Sequence, residues 1–420
     1  MEMYFKEVEI KNFKGIAAMK LMFKPGVNLL IGENGVGKTS VLEALTIALS
    51  DFFNGISGVP KKGIVSADVR FNTHAAGNAS MKIEYYTPTE IHSKVHLSSE
   101  VGAGLVSRRD ETGQSRTKYA GKGISMYASK LCNDMDSTLP LLCYISTQRL
   151  AQPKREDFGT SSKNELNDRR CGYIGCMEDS LDRKALEAWC LKMEMCVFKQ
   201  NAPIHEYEMF KDIVSTFMMH MNELEQKPHV DYSRQFDQMV YREDDVSTPI
   251  KYLSAGYQSL LWIVMTMAFR LCQLNPNVKE YKDVPGIVII DEIDMHLHPR
   301  WQWIIVDALQ KTFPKIQFIL ATHAPIILSS CRDALLIRLS EERSVQYLES
   351  VYGTSIDDVA ELTQGSLGIP LDLKKASRKF EAAFHAGQKE KAAEILSEME
   401  SQFGDKNEEV ILAHRRFRLM

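Results

Sequence analysis

The chain has 420 residues, 44% of them hydrophobic and 25% charged, which is typical of a globular protein with two or three domains. Its formal net charge of -4 excludes a generally basic protein, so any DNA or RNA contact has to come from a local patch. The first residues carry no charged-then-apolar signal, and no run approaches the roughly 18 apolar residues of a membrane span. The 8 cysteines lack framework spacing. We therefore expect a cytoplasmic protein without membrane contact.

A phosphate-binding loop is the first motif along the chain. Residues Gly32–Thr39 read GENGVGKT and fit GxxxxGK[ST], between a strand candidate at Gly26–Ile31 and a helix candidate at Thr39–Ser50. Glycines let backbone N–H groups surround the β- and γ-phosphates of ATP, and the helix N-terminus adds its dipole. Lys38 would reach the phosphate oxygens during catalysis, and the Thr39 hydroxyl would bind Mg²⁺. The predicted ATP contacts here are Asn34, Gly35, Gly37, Lys38, Thr39 and Ser40.

The next stretch contains two weaker patterns. Val65–Tyr86 reads as strands, whereas Val101–Gly123 is rich in glycine, threonine and basic residues and predicts a mobile loop. The basic residues are either a solvated hairpin tip or a nucleic-acid contact; they are Arg108, Arg109, Arg116, Lys118 and Lys122.

A second apolar strand, Leu141–Ile145, leads to Gln148 and Arg149. At the end of such a strand Gln148 could contact the nucleotide and ligate Mg²⁺ directly or through water. Arg149 could contact phosphate or a partner lobe.

The following segment, up to about residue 228, has a polar helical pattern. Its methionine-rich part, Met209–Met221, is either helix core or an adaptable partner surface. The segment is too short and lacks the sustained heptads of a long coiled coil. It predicts a compact helical subdomain, followed by strand-like Val230–Tyr241.

A second phosphate-binding pattern is LSAGYQ at Leu253–Gln258, just before an apolar helix candidate at Leu260–Leu271. Ser254 and the amides at this helix start could hold a γ-phosphate, and the same serine could also cap the helix. Gly256 and Gln258 complete the predicted nucleotide contacts of the segment.

Two further apolar strands end in chemically active side chains. Ile287–Ile290 is the pattern of a parallel strand buried on both faces, and it leads into Asp291 and Glu292. Asp291 would hold Mg²⁺ through water, and Glu292 would orient and polarise the water that attacks the γ-phosphate. Ile319–Thr322 delivers His323, which could sense the γ-phosphate in catalysis.

The remaining chain is helical in pattern. Asp357–Phe403 predicts at least two amphipathic helices, one with Ala392, Leu396, Met399 and Phe403 on a single stripe. A break at Gly404–Asn407 precedes a last helix.

The order of these motifs resembles the ABC-type ATPase heads of the RecF, SMC and OLD group. The opening Val8–Gly15, VEIKNFKG, resembles the first strand of that group, and DEIDMHLHP at Asp291–Pro299 resembles its antiphage branch. The tail is similar to that of Septu-type antiphage ATPases and their retron-associated relatives. The resemblance implies an α/β fold: a two-lobed P-loop ATPase head with a short helical insertion between the lobes and a helical C-terminal tail.

The expected division is 1–150 for lobe I, 151–235 for the insertion, 236–350 for lobe II and 351–420 for a partner-binding or packing tail. By the same resemblance, the signature closes on the ATP of a second copy, and Asp294 lies in the loop that communicates across the dimer. ATP and Mg²⁺ are the implied ligands.

The resemblance also implies partners. They are a second copy or a larger homo-oligomer, and a separate effector, with an HNH-type nuclease as the first expectation. Two alternatives stay open: a RecF-like DNA-binding repair ATPase, and an ATPase scaffold that sequesters a toxin other than a nuclease.

Overall fold

The computed structural model describes residues 2–33, 35–70, 88–98, 100–108, 117–121, 123–147, 168–178, 183–233, 235–236, 238–243, 246–340, 344–356, 358–359, 371–405 and 407–418. In chain order the strands are β1 (Met3–Phe13), β2 (Ile16–Met22), β3 (Val27–Ile31), β4 (Thr89–Leu97), β5 (Glu100–Arg108), β6 (Lys118–Tyr119), β7 (Leu141–Ile145), β8 (His229–Ser233), β9 (Gln238–Glu243), β10 (Val246–Pro249), β11 (Gly286–Ile290), β12 (Ile316–Ala321), β13 (Leu335–Leu339) and β14 (Val345–Leu348). The helices are α1 (Lys38–Phe53), α2 (Ile124–Asn133), α3 (Arg183–Gln200), α4 (His205–Asn222), α5 (Ala255–Leu274), α6 (Pro299–Gln302), α7 (Ile305–Thr312), α8 (Pro325–Ser330), α9 (Leu371–His385), α10 (Lys389–Phe403) and α11 (Glu408–Phe417).

A six-stranded sheet in the order β14-β13-β3-β12-β11-β7 forms the centre of the unit Met1–Gly353. Strands β13, β3, β12, β11 and β7 run parallel, and only β14 is antiparallel to its neighbour. β3, β7, β11 and β12 are buried along their whole length, as their aliphatic composition predicts. The carboxyl ends of these parallel strands therefore meet at one edge, where open α/β sheets bind ligands.

A second, antiparallel sheet in the order β2-β1-β4-β5-β6 is joined to the first through Gln317 of β12. The Phe5 backbone N–H donates to Gln317 Oε1 at 2.8 Å, and Gln317 Nε2 donates to the Phe5 carbonyl at 3.1 Å. The Gln317 side-chain amide thus pairs with the backbone of β1 in the way that a peptide group of a neighbouring strand would. It lies next to the register shift between Phe5 and Glu7.

The prediction of a mobile loop over Val101–Gly123 is wrong for the first part of this range. There the chain forms β5, which pairs with β4 in a register that runs from the pair Leu97–Glu100 to the pair Thr89–Arg108. Its glycines serve packing rather than flexibility. A Cβ on Gly102 would lie 2.6 Å from Ile124 Cγ1, so the missing side chain lets α2 approach the strand. Residues 109–116 and 122 lie outside the described residues.

The prediction of strands over Val65–Tyr86 is also wrong for residues 65–70, the part of this range that the structure describes. Ser66–Asp68 is a short 3₁₀ helix whose Asp68 Oδ2 accepts from the Val65 N–H at 2.9 Å. Val69 makes a single bridge to Phe13. Residues 71–87 lie outside the described part of the chain.

The segment before the signature contains helices α3 and α4 and a three-stranded sheet in the order β10-β9-β8. Met209, Met218 and Met221 of α4 are buried, so these methionines are helix core. Helix α5 is buried along nearly its whole length, as its apolar sequence predicts.

The unit Thr354–Met420 has its own core, to which α9, α10 and α11 all contribute. Ala392, Leu396 and Met399 of α10 are buried in this core, and Phe403 packs against it, as the predicted stripe requires. Across both units, none of the helices within the described residues is long and apolar enough to cross a membrane.

Candidate functional site

The phosphate-binding loop connects β3 to α1, as the sequence predicts. Gly37 has a φ of 106°, which favours glycine, and a Cβ on Gly32 would lie 2.5 Å from the Leu339 carbonyl oxygen. The first turn of α1 carries no acidic residue, and no side chain in the described part of the chain caps it, so its N–H groups can bind an anion. Gly35, Thr39 and Ser40 lie in this loop and first turn, whereas Asn34 is outside the described residues.

Lys38 is buried at the base of this loop, with 7% of its surface exposed. Its Nζ donates to the carbonyls of Gly32 and Glu33, each at 2.8 Å. Burial lowers the pKa of Lys38, while the nearby charges of Asp291, Glu292 and Asp294 oppose that shift. The ammonium thus lies among carboxylates on one side and holds the loop on the other.

Thr39 and Asp291 bring the loop and the end of β11 together. Thr39 Oγ1 donates to Asp291 Oδ2 at 2.9 Å, although 252 residues separate them in the chain. Burial raises the pKa of Asp291, and the charge of Glu292 adds to the rise against the hydrogen bond from Thr39. A hydroxyl next to a carboxylate supplies the hard oxygen ligands that Mg²⁺ prefers, so this pair fits the predicted metal site.

Glu292 and His323 follow the adjacent strands β11 and β12. Glu292 has a φ of 45°, so the chain turns sharply where the predicted catalytic acid stands. Burial lowers the pKa of His323, and the positive charge of Lys38 lowers it further, against the charges of Asp294, Glu292 and Asp291. The imidazole is therefore neutral at neutral pH.

Thr322 is a functional candidate to which no sequence motif points. Its hydroxyl donates to Asp294 Oδ1 at 2.6 Å and accepts from the Ala324 N–H at 3.0 Å. Its position directly before His323 was the only available signal. Asp294, singled out by resemblance alone, thereby contacts the end of β12.

The position of Gln148, like that of Arg149, lies outside the described residues. The strand that leads to it is present, because β7 pairs with β11 and places Ile145 opposite Ile290. The Asp291 N–H donates to the Ile145 carbonyl at 2.9 Å. The chain after β7 thus leaves the sheet beside Asp291.

The signature segment begins α5, with Ser254 as its N-cap. Ser254 is exposed, and its Oγ accepts from the Tyr257 N–H at 3.4 Å. Gln258 Nε2 donates to the Leu253 carbonyl at 2.8 Å and to the Lys251 carbonyl at 3.2 Å, and the second bond connects the segment to the turn before it. Gly256 has no room for a side chain, because a Cβ would lie 2.8 Å from Trp301 Cζ3.

A pocket of about 910 Å³ opens beside this segment. Its lining residues come from the ends of α4 and β9, the start of α5, the loop before α6 and α6 itself; they are Asn222, Glu243, Ser254, Ala255, Gly256, Tyr257, His296, Leu297, His298, Arg300 and Trp301. The described residues of the phosphate-binding loop are not among them. The predicted γ-phosphate contact of the signature, Ser254, thus lines a pocket to which the described residues of that loop do not contribute.

The basic stretch near β5 and β6 is only partly available for a ligand. Arg108 donates to the Ile64 carbonyl at 2.7 Å and to Ser66 Oγ at 2.9 Å, so its role within the fold is structural. Lys118 is exposed, and Arg109, Arg116 and Lys122 lie outside the described residues.

A phosphate-binding loop, an acidic strand end and a strand-end histidine on one parallel sheet, with a signature helix, define a P-loop ATPase of the ABC type. The chain belongs to the family described as AAA domain, whose model matches residues 7–227, and an AAA ATPase domain model matches residues 184–328. It is an ATPase of the RecF, SMC and Rad50 group, which confirms the predicted resemblance to RecF- and SMC-type ATPase heads.

Relatives of known name and structure agree with that assignment. The retron Vc95 probable ATPase of Vibrio cholerae serotype O1 biovar El Tor is 24% identical, over 77% of this chain and 71% of the relative. A Septu protein PtuA of Bacillus thuringiensis is 25% identical, over 97% of this chain and 91% of the relative. A solved SMC head, bound to the C-winged helix domain of ScpA, superposes with a TM-score of 0.52 at 15% identity, over 82% of this chain and 98% of that one. The expected ATPase-head fold is confirmed.

Proposed function

We propose that this chain is the ATP-binding and hydrolysing regulatory subunit of an antiphage defence system. Two copies would close over ATP, alone or within a larger assembly, and restrain a separate nuclease. The observation that carries the proposal is the hydrogen bond between Thr39 and Asp291 at the sheet edge, with Ser254 exposed in a pocket that the described residues of the phosphate-binding loop do not line. One protomer would thus hold the nucleotide, and a second would supply the signature.

Within one protomer, the proposed roles follow the contacts described above. Lys38 exchanges its bonds to the Gly32 and Glu33 carbonyls for phosphate oxygens, and the open amides at the start of α1 bind the same anion. Thr39 and Asp291 would hold Mg²⁺, which when bound neutralises charge on the phosphate oxygens. Glu292 orients the attacking water, and His323 donates a hydrogen bond from its neutral ring to the γ-phosphate.

Ser254 would complete the site of the second copy. As N-cap of α5 it stands beside the amides of Ala255 and Gly256, which a helix start leaves without intrahelical acceptors, and this favours contact with a γ-phosphate. Loss of that phosphate on hydrolysis would remove the contact and open the assembly. Gly35, Gly37, Ser40, Gly256 and Gln258 would shape the two halves of the site, with Asn34 and Gln148 as further ligands.

The effector part of the proposal draws on the named relatives, a retron ATPase and a Septu protein. We assign residues 1–150 and 236–350 to the two ATPase lobes, 151–235 to the insertion and 351–420 to an effector-binding tail. The tail has a core of its own, which suits a docking module. All 8 cysteines lie within the described residues and are free, which suits the cytoplasm.

The proposal is tested by Glu292→Gln in the full chain, coexpressed with the genes that neighbour its own. The variant should bind ATP, lose turnover, and accumulate in native mass spectrometry as an ATP-dependent complex of two or more copies with a small nuclease. Lys38→Met is the matched control, which should not assemble in response to ATP.

The outcomes separate the parts of the proposal. Glu292→Gln copies that assemble with ATP but never carry a nuclease would retain the dimer and overturn effector control. Steeply salt-dependent binding of these copies to branched DNA would then favour the RecF-like function. A bound toxin that is not a nuclease would instead favour the sequestering scaffold. Glu292→Gln copies that stay monomeric with ATP would overturn the dimer.

A further inference from the structure

A polar cluster of Asn222, Tyr241, Glu243 and Tyr257 lies directly behind the signature segment. The Tyr241 hydroxyl donates to Glu243 Oε2 at 2.7 Å. Asn222 Nδ2 lies 3.3 Å from the hydroxyl oxygens of Tyr241 and Tyr257 and 3.4 Å from Glu243 Oε2. The two hydrogens of one amide are therefore shared among three acceptors, which ties together α4, β9 and the first turn of α5.

Aromatic packing holds the same turn from the other side. The Tyr257 ring meets the edge of Trp301 at 4.8 Å and 85°, and it lies 5.9 Å from the Tyr241 ring. Trp301 also packs against the backbone at Gly256, where the missing Cβ makes this contact possible. The orientation of the turn that begins with Ser254 is thus fixed by side chains from three other elements.

The cluster also connects the helical insertion to the loop that follows Glu292. Asn222 is the last residue of α4, and the next residue, Glu223, caps the helix with a φ of 53°. Glu223 Oε2 accepts from Arg300 Nη2 at 3.2 Å, and Arg300 precedes Trp301 in α6. The end of α4 therefore touches both the signature turn and the segment beyond the catalytic acid.

We infer that Asn222, Tyr241, Glu243 and Tyr257 are positioning residues that set how Ser254 meets the nucleotide of a second copy. The inference rests on the proposed dimer and deepens it, since it assigns the helical insertion a part in nucleotide closure. A partner or effector that displaces the end of α4 would turn the signature and weaken closure without touching the ATP of its own protomer.

The test uses the full chain with Tyr257→Phe, which removes the hydroxyl and keeps the ring, and with Asn222→Ala. Tyr252→Phe is the matched control, because Tyr252 adjoins the signature but is 71% exposed and outside the cluster. ATP affinity is measured below the concentration at which copies associate. ATP-driven association is measured by mass photometry in the Glu292→Gln background, and kcat in the otherwise unchanged chain.

Tyr257→Phe should raise the protein concentration needed for association about fivefold to tenfold, the effect of one lost hydrogen bond, and lower kcat similarly. Asn222→Ala should have at least as large an effect, because its amide serves three acceptors. ATP affinity of the separate protomer should stay within about twofold. The double variant should lose less than the product of the two single effects, because the residues act through one network.

A Tyr257→Phe protein that associates and turns over like Tyr252→Phe would overturn the positioning role. An equal loss of ATP affinity in the separate protomer would also overturn it, since the effect would then be a general one on the fold. Failure of the dimer itself is recognised separately, because the Glu292→Gln parent would not associate with ATP at all.

Discussion

Thr322 Oγ1 donates a hydrogen bond to Asp294 Oδ1 at 2.6 Å, so the strand that ends in His323 is fastened to the loop that follows Glu292. The same carboxylate oxygen lies 3.4 Å from the His323 backbone N–H. Because Asp294 contacts both Thr322 and the backbone of His323, a shift of the loop that carries Asp294 would also displace the histidine. Asp294 thus connects the loop after the predicted catalytic acid, Glu292, to the backbone of the predicted phosphate sensor, His323.

Thr322→Val should remove the connection between Asp294 and the end of β12, because valine keeps the shape of threonine and lacks the hydroxyl donor. We expect kcat to fall about tenfold, the effect of one hydrogen bond to a charged group, with ATP affinity within about twofold. Thr322→Ser should restore most of the rate. Steady-state kinetics with a separate ATP titration checks this, and a serine variant as slow as the valine variant would contradict it.

His323 should protonate below the usual histidine range in the protein without nucleotide, because burial and the charge of Lys38 both disfavour the imidazolium. Addition of a non-hydrolysable ATP analogue should raise its pKa, since the phosphates neutralise Lys38 and favour a charged ring. Histidine NMR titration, with His323→Asn to assign the signal, measures both values. An unchanged pKa with analogue bound would place the γ-phosphate away from this ring.

Lys38→Met should weaken ATP binding about tenfold to a hundredfold, because charge-assisted hydrogen bonds to phosphate are lost. The free energy of unfolding should nevertheless stay equal or rise, since burial already disfavours the charge of Lys38 and methionine fills a similar volume. Urea unfolding beside an ATP titration separates the two effects. A large loss of stability would mean that the bonds to Gly32 and Glu33 hold the fold as well as the loop.

Asp51 of α1 should make the protein less stable as pH rises. Its side chain is fully buried, and Gly104 and Gly121 pack against it. Among the described residues, neither carboxylate oxygen has a hydrogen-bond partner. Burial raises the pKa of Asp51 from 3.8 to about 6, against the charge of Lys61. Between those values the unfolded chain ionises first, so the free energy of unfolding falls by about 3 kcal/mol and then levels off.

Asp51→Asn should remove that slope, so that the variant unfolds at higher urea concentration than the parent at pH 7.5 and not at pH 4. The exposed Asp333→Asn is the control and should follow the parent. Parallel pH profiles for the parent and Asp51→Asn would show that the carboxyl finds a partner in solution.

Gln317→Leu should lower the free energy of unfolding by about 1–3 kcal/mol, because it leaves the buried N–H and carbonyl of Phe5 unpaired. Gln310→Leu, an exposed glutamine on α7, is the control. Urea unfolding at pH 7 gives both values. An effect no larger than that of Gln310→Leu would mean that β1 finds other partners.

The strand ends that carry Asp291 and His323 were predictable because a parallel strand buried on both faces is a short apolar run. Thr39 was fixed by the spacing of its loop. The strand β5 was missed since Gly102 and Gly104 weaken the strand pattern, and only the packing of Ile124 explains them. The contacts of Asn222 with Tyr257 were also beyond prediction, because no local rule pairs residues on different elements at that distance in sequence.

Ser254 stands exposed at the start of α5, while Lys38 is buried beneath the phosphate loop. In the proposed assembly neither copy owns a complete site, so at low abundance the rate of ATP turnover grows with the square of the protein concentration. Halving the amount of protein would cut the rate about fourfold. The number of molecules per cell would thereby act as a threshold, set by expression before any ligand arrives.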